Sequence, residues 1–270
     1  MTLPDGGTRV GLTAMDIDSV LALFDQRMRR DIDAEPGARV DRTDLFVRQD
    51  SGADGWNCVI WSALTEANAD AVIAEQLEYF GDRRFEWKLY DHDEPADLAE
   101  RLRDAGFVPE DEEALLVAPA REIAATSADV DGVRVIDIEN DAELEAAIDV
   151  HYRVFGDDGG RLRRQLWTQW HEDRASVAFV LALALAGDEP VSAARVEFYD
   201  RAGFAGLWGG GTVQHWRGRG VYRALVAHRA RLAVERGIDY LQVDALPTSE
   251  PILRRLGFVR LATTTPYVHG

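Results

Sequence analysis

A run of glycines and arginines in the last third of the chain carries the clearest chemical signal. Residues 204–213 have the composition of a strand, a Gly/Arg loop follows at 217–220, and apolar residues at helical spacing begin at Val221. Such a loop at a helix N-terminus presents backbone N–H groups together with the positive end of the helix dipole. Glycine allows close approach of an anion, and arginine adds charge-assisted donors. The segment therefore predicts a pyrophosphate site, although a loop that only turns a strand into a helix is the alternative.

Two common phosphate motifs do not fit this loop. A P-loop needs Gly-Lys followed by Ser or Thr, and the chain has no such sequence here. The dinucleotide fingerprint G-x-G-x-x-G is also absent, and no acidic residue stands at the distance that this fold requires. The loop is therefore of another class.

The order Arg217-x-x-Gly220-x-Tyr222 resembles the Q/R-x-x-G-x-G/A signature of the GCN5-related N-acetyltransferases, the GNAT family, which holds the pyrophosphate of acetyl-CoA. The resemblance covers about 132–270, because 177–185, 191–199 and 241–245 look like strands of that family and 249–258 looks like its last helix and Gly-Phe turn. It implies an α/β fold with a mixed, mostly antiparallel central sheet flanked by helices. It also implies acetyl-CoA as cosubstrate.

The resemblance assigns the acetyl-CoA contacts to the fourth strand and to the loop and helix start that follow it. The residues at these positions are Gly210, Gly211, Thr212, Gly218, Arg219, Gly220, Val221, Tyr222 and Arg223. Tyr222 departs from the family, which has Gly or Ala there, so its side chain must point away from the phosphates. The glycines at 209–211 predict close backbone approach or a β-bulge.

The acid and base that many family members use are not visible. Leu253 stands where they have the Tyr that protonates the leaving thiolate, and Gln242 stands where a Glu is frequent. The candidates for proton transfer are Asp244 at the end of the fifth strand and Glu197 on the third strand, with His215 in the loop. Each has a structural alternative: Asp244 could be a cap, Glu197 a solvated strand residue and His215 a loop residue. Deprotonation by water would need no base.

The first half of the chain repeats the order of elements of the second. A strand at 85–90, a helix after Pro95, a Gly-Phe turn and a strand at 114–117 match the elements after residue 240, and the Gly-Phe pairs lie about 150 residues apart. No Arg-Gly-x-Gly precedes the helix predicted at 66–80. This predicts a degenerate GNAT-like domain at 1–118, a linker at 119–131 and an acetyl-CoA-binding domain at 132–270. Chance recurrence of Gly-Phe after two helices is the alternative.

Composition limits the class of partner. The chain has 270 residues and a formal net charge of −18, which disfavours nucleic acid. The charge suits a cationic substrate such as an amine, although an acidic surface more often serves only solubility. No apolar run reaches the roughly 20 residues of a membrane span. The N-terminus lacks the pattern of a signal peptide, and Cys58 is the only cysteine, so we expect a cytoplasmic protein without a membrane partner.

These features predict an acetyl-CoA-dependent N-acetyltransferase for a small amine-bearing acceptor. Trp167, Trp170 and His171 follow a Gly/Asp loop at 156–160 and could shape the acceptor pocket, although a core role for the tryptophans is the simpler interpretation. Two other functions stay open. One is a non-catalytic acyl-CoA-binding or regulatory module, which the missing Tyr and Glu favour. The other is a tandem transferase resembling mycothiol synthase, in which both domains build the acceptor site.

Overall fold

The computed structural model describes residues 16–35, 37–53, 55–126, 129–156, 160–172, 174–184 and 188–270, apart from the side chains of 181–184. The first half contains, in order, α1 (Ile17–Phe24), a π-helical turn (Asp25–Arg30), β1 (Arg39–Arg42), β2 (Phe46–Asp50), β3 (Cys58–Ser62), α2 (Ala69–Phe80), β4 (Phe85–Tyr90), α3 (Leu98–Asp104), β5 (Val108–Pro109), β6 (Glu113–Pro119) and α4 (Ala120–Ala124). The second half contains β7 (Val133–Asp137), α5 (Asp141–Phe155), α6 (Arg161–Glu172), β8 (Val177–Ala184), β9 (Glu189–Tyr199), β10 (Phe204–Thr212), a 3-10 turn (Gln214–Trp216), α7 (Val221–Glu235), β11 (Tyr240–Ala245), α8 (Glu250–Arg255) and β12 (Val259–His269).

The strands of both halves form a single mixed sheet in the order β1-β2-β3-β4-β12-β6-β11-β10-β9-β8-β7, and β5 pairs with β12. Among the described strands, β3 with β4 and β10 with β11 are the parallel pairs, and the remaining neighbours are antiparallel. Helices pack on the sheet. This confirms the predicted α/β fold with a mostly antiparallel central sheet.

The two halves exchange strands at the middle of the sheet. β6 belongs to the first half, yet it pairs with β11 on one side and with the start of β12 on the other. β12 closes the second half, and its later residues pair with β4 and β5 of the first half. Each half therefore supplies a strand to the other, and the side chains of both meet in the centre.

The sequence of β6 suits this central position. Its residues 114–118 are continuously apolar and all are buried, as expected for a strand covered on both faces. Leu115 packs in a cluster with Val20 and Phe24 of α1. Leu116 points to the opposite face, into the cluster that contains Val226 and Ala230 of α7. The sheet therefore separates an α1 face from an α7 face.

The segment predicted as a linker contains ordered packing in its described part. α4 lies directly after β6, and its residues Ala120 and Ile123 are buried in the cluster with α7. Residues 127 and 128 lie outside the described residues. The boundaries 1–118, 119–131 and 132–270 stay a prediction, because the shared sheet runs across them.

The described ranges contain neither a candidate membrane span nor a candidate metal cluster. None of the helices there has the length and apolar character that a bilayer crossing needs. Within the same ranges, no three His, Cys, Asp or Glu side chains come together as a metal site would require.

Candidate active site

A cleft opens in the sheet between β10 and β11. The two strands pair in parallel only where Phe204–Gly206 face Tyr240–Gln242. Beyond Gly206, β10 stays paired with β9, and beyond Gln242, β11 stays paired with β6. An irregularity interrupts the β10–β9 register between Trp208 and Gly211, as the glycine run predicts. The strand edges along this cleft leave backbone groups available to a ligand.

The predicted phosphate loop lies between β10 and α7. Gly218 and Gly220 have φ of 76° and 90°, a region that side-chain-bearing residues rarely adopt. Gly220 is the N-cap of α7 and has no side chain to cap it, so the first N–H groups of the helix are available to an anion. Arg219 and Arg223 are exposed beside them. The loop thus has the donors that a pyrophosphate needs.

Two contacts of arginine side chains define the shape of this loop. Arg217 donates from Nε to the carbonyl oxygen of Thr212 over 3.0 Å, which ties the loop to the end of β10. The guanidinium of Arg219 lies 4.6 Å from the ring centre of Trp216. The hydroxyl of Thr212 is buried against Ser192, so only its backbone could serve a ligand.

Tyr222, the departure from the family signature, is accommodated by Gly210. A Cβ on Gly210 would lie 2.8 Å from Cε2 of Tyr222 and 3.4 Å from Nη2 of Arg229, so no larger residue fits there without movement. Tyr222 packs on the core cluster at α7. The ring of Tyr222 therefore packs beneath Gly210 of β10. The place of Tyr222 agrees with the expectation that it avoids the phosphates.

Arg229 places a buried positive charge below β10. It is 1% exposed, and Nη1 donates to the carbonyl oxygen of Arg195 over 3.0 Å. Within the described residues, no carboxylate forms an ion pair with it, and Nη2 has no hydrogen-bond partner. Burial lowers the pKa of Arg229 to about 10, which leaves it cationic at neutral pH. The positive charge lies below the strand predicted to contact acetyl-CoA.

The α1 face of the cleft carries a set of polar side chains, three half-buried and the last one buried, which we call the polar floor: Gln169, Glu197, Trp208 and Gln242. Gly206 of β10 is paired with Glu197 of β9 on one side and with Gln242 of β11 on the other. A Cβ on Gly206 would lie 2.6 Å from Nε1 of Trp208 and 3.0 Å from Nε2 of Gln242. The glycine therefore makes room for both polar groups.

The polar floor holds atoms without a partner. Oε1 of Gln169, Nε1 of Trp208 and Oε1 of Gln242 are buried and form no hydrogen bond with any residue that the structure describes. Each such atom costs free energy on the order of 1–3 kcal/mol unless a ligand or water satisfies it. A polar molecule with both donors and an acceptor would complete the floor.

Glu197 is occupied by its neighbours. Its carboxylate accepts from Nε2 of Gln169 (3.0 Å), Nε of Arg195 (2.9 Å) and the hydroxyl of Tyr199 (3.0 Å). Burial, followed by the charge of Glu197, raises the pKa of Tyr199 well above its usual value. The catalytic role of Glu197 therefore stays a prediction. In the structure its carboxylate holds the amide of Gln169 in the polar floor.

Asp244 lies at the end of β11 in an ion pair that the sequence did not reveal. Its Oδ2 lies 2.8 Å from Nζ of Lys88, a residue of β4 in the first half and the only lysine of the chain. The side chain of Asp244 is 4% exposed, and its Oδ1 has no hydrogen-bond partner in the described part of the chain. Burial lowers the pKa of Lys88, but Asp244 together with Tyr90, Glu86 and Glu113 more than offsets this, so the pKa is raised. Glu113 of β6 lies 3.4 Å from the same ammonium.

The other residues singled out in the sequence lie away from this polar centre. His215 is exposed, with Nε2 3.5 Å from Glu189. Trp167 and Trp170 donate to Glu145 and Asp141, and both pack on the core cluster of α5 and α6, as the simpler interpretation predicted. Residues 157–159 of the predicted acidic loop, and 185–187 after β8, lie outside the described residues.

The corresponding cleft of the first half is filled by Arg29. β3 and β4 pair in parallel only at Cys58 and Val59, and the next carbonyl, that of Ile60, accepts from Nε of Arg29 over 3.1 Å. Arg29 is 2% exposed and also donates to both oxygens of Asp93. The side chain thus takes a backbone group that a pantetheine arm would use. Cys58 is fully buried, and burial raises its pKa, as expected for a small core residue.

We therefore expect one acetyl-CoA to bind per chain, because the first half lacks the Gly/Arg loop and Arg29 already occupies the carbonyl oxygen of Ile60 at the corresponding strand edge. Isothermal titration calorimetry of the whole protein should give a stoichiometry near one. Two sites of similar affinity would show that Arg29 does not block the first half.

Comparison with known proteins agrees with this geometry. The family model described as "Acetyltransferase (GNAT) family" matches residues 134–258. Those residues belong to the GNAT family. The chain thus contains an acetyltransferase domain of this family. A search of curated proteins found no match.

Solved structures show the same fold over nearly the whole chain. A GCN5-related N-acetyltransferase from Kribbella flavida superimposes with a TM-score of 0.66 at 18% identity, covering 96% of each chain. A tandem GNAT protein from the clavulanic acid biosynthesis pathway superimposes with a TM-score of 0.57 at 13% identity, covering 94% of this chain and 87% of the other. A GCN5-related N-acetyltransferase from Sphaerobacter thermophilus gives 0.58 at 13%, covering 85% and 81%.

Proposed function

We propose that the protein transfers the acetyl group of acetyl-CoA to the nitrogen of a small amine-bearing acceptor. The observation that supports this most is the cleft between β10 and β11, which has the phosphate loop at its end and the polar floor on one face. When bound, acetyl-CoA would supply an activated acetyl thioester. The chain's task is then to hold it, place the amine and remove a proton.

The residues present fit acetyl-CoA. Gly218, Gly220 and the start of α7, with Arg219 and Arg223, would hold the pyrophosphate through backbone N–H groups and guanidinium groups. The open edge of β10 would hold the pantetheine arm.

The polar floor supports a polar acceptor. Two unpartnered oxygens, of Gln169 and Gln242, and one N–H, of Trp208, need a ligand that offers donors as well as an acceptor. The unpartnered oxygen of Asp244 and the net charge of −18 favour an ammonium group. The same net charge also disfavours nucleic acid as a partner.

A tandem arrangement in which both halves build the acceptor site is supported by Lys88 and Glu113. Both belong to the first half, and both lie at the end of β11. The non-catalytic alternative is supported by Leu253, which is fully buried at the position where the family's acid would stand.

The test is release of the CoA thiol by the purified protein with a panel of primary amines. The panel contains hydroxylated amines, amino sugars, amino acids and plain alkylamines. We expect turnover with a polar amine and little with an alkylamine of the same length. Tight binding of acetyl-CoA with no amine-dependent thiol release would instead favour the non-catalytic module.

A further inference from the structure

Glu113 lies where the first half of the chain meets the candidate active site. Ala114 of β6 is paired with Ala245 of β11, so Glu113 lies beside the point where β11 ends. On its other side it is paired with Thr264 of β12. Glu113 shares the ammonium of Lys88 with Asp244, which places the two carboxylates on the same face of the sheet.

We propose that Glu113 accepts the proton of the acceptor ammonium, so that the first half of the chain supplies the base for the site in the second half. This rests on the proposed function, because it assigns a role within the transfer to an amine. No position of the GNAT signature pointed to Glu113, and the residue lies outside the segment that the family model matches.

Glu113 is better placed for this role than the two acids chosen from the sequence. Asp244 is 4% exposed and is bound to Lys88 at 2.8 Å, and the carboxylate of Glu197 already accepts from three side chains. The side chain of Glu113 is 22% exposed, and Lys88 lies at a longer 3.4 Å. It can therefore exchange protons with both a bound ammonium and solvent.

The groups around Glu113 set its proton affinity. From β4 it faces Lys88 and Glu86, from β11 it faces Asp244, and β12 offers the uncharged Thr264. Burial raises the pKa of Glu113 to about 7, against the opposing effect of Lys88 and with a further rise from Asp244. Near neutral pH the carboxyl is thus divided between its two forms, which suits a general base.

An acceptor that binds as an ammonium ion must lose two protons from its nitrogen to become an amide. The carboxylate of Glu113 takes one proton from R–NH3⁺ and leaves R–NH2 with a free electron pair. The nitrogen then forms its bond to the acetyl carbon as the bond from that carbon to sulfur breaks. The second proton of the nitrogen goes to the departing thiolate, and Glu113 returns its proton to solvent. One amide, one thiol and one proton result.

The test compares Glu113→Gln with Glu112→Gln. Glu112 is exposed and directly precedes β6. We expect Glu113→Gln to lower kcat at least a hundredfold, within the usual range for a general base, and to keep the affinity for acetyl-CoA in calorimetry. Glu112→Gln should change neither. In the wild type, kcat/KM should rise with pH through about 7, and this limb should be absent in Glu113→Gln.

Two acceptors with different amine pKa values separate Glu113 from the substrate. A limb caused by the amine itself would move with the amine pKa, whereas a limb caused by Glu113 stays near 7 for both. This comparison needs only the wild-type protein, so it holds even where Glu113→Gln fails to fold. A limb that moves with the amine would overturn the proposal.

Thermal unfolding gives a readout without catalysis. Because the pKa of Glu113 is raised in the folded state, the contribution of Glu113 to the stability of the wild type decreases as pH rises from below 4.5 to above 7. Glu113→Gln lacks this loss, so its Tm relative to wild type should increase between pH 5 and pH 8, and that of Glu112→Gln should not. A flat difference, or a Glu113→Gln variant with more than a third of wild-type kcat, would overturn the proposal and leave the proposed function standing. No turnover of any amine by the wild type would overturn both.

Discussion

Gly220→Asp should abolish acetyl-CoA binding in calorimetry, with an affinity loss of at least a hundredfold. Gly220 caps α7 at φ 90°, where the first N–H groups of the helix and two arginines face the loop. A carboxylate at this position would occupy the place of the phosphates and repel them. A negative charge at a helix N-terminus is otherwise favourable for the fold, so the variant should stay folded.

The matched control is Gly237→Asp at the other end of the same helix. Gly237 has a φ of 76°, and a Cβ there would meet no atom within 4 Å. Gly237→Asp therefore introduces the same charge as Gly220→Asp but away from the loop. The backbone strain is about 1 kcal/mol in each variant. Unchanged acetyl-CoA affinity in Gly220→Asp, or an equal loss in Gly237→Asp, would refute the assignment of the loop.

Lys88→Met should destabilise the protein by about 3–5 kcal/mol in chemical denaturation. Lys88 neutralises Asp244, which is 4% exposed, and also contacts Glu113. Removal of the ammonium leaves the buried carboxylate of Asp244 beside that of Glu113, and neither then has Lys88 as its counter-charge. Since the three residues lie on β4, β6 and β11, the loss should loosen the exchange of strands between the halves.

Two further variants make this prediction specific. Arg84→Met also removes one positive charge beside β4, but its pair with Glu110 is exposed on both sides, so a loss below about 1 kcal/mol is expected. Adding Asp244→Asn to Lys88→Met should restore much of the stability, because the unpaired buried charge is then gone. Equal effects of Lys88→Met and Arg84→Met would contradict the buried ion pair.

The sequence predicted the elements that local patterns determine. The strand predicted at 241–245 is β11, which spans Tyr240–Ala245, and α7 begins at Val221 as its apolar spacing and the preceding Gly220 indicate. These patterns depend on side chains a few residues apart. The loop could be found in the same way, because its glycines and arginines are contiguous.

What the sequence could not reveal depends on contacts between distant segments. An apolar strand such as β6 pairs equally well with several neighbours, so its place between β11 and β12 does not follow from its composition. The Lys88–Asp244 pair and the use of Arg29 as a filler of the first cleft follow from that placement. α4 was missed because a five-residue helix with two buried positions has no detectable period.

The most direct test of the account is the mass balance of the reaction. Wild-type protein is incubated with acetyl-CoA carrying an isotope-labelled acetyl group and with the best amine of the panel, and both products are quantified by mass spectrometry. We expect equal amounts of labelled N-acetyl product and CoA thiol, with neither formed by Gly220→Asp. Thiol release without labelled amine, or labelled amine formed equally by Gly220→Asp, would contradict it.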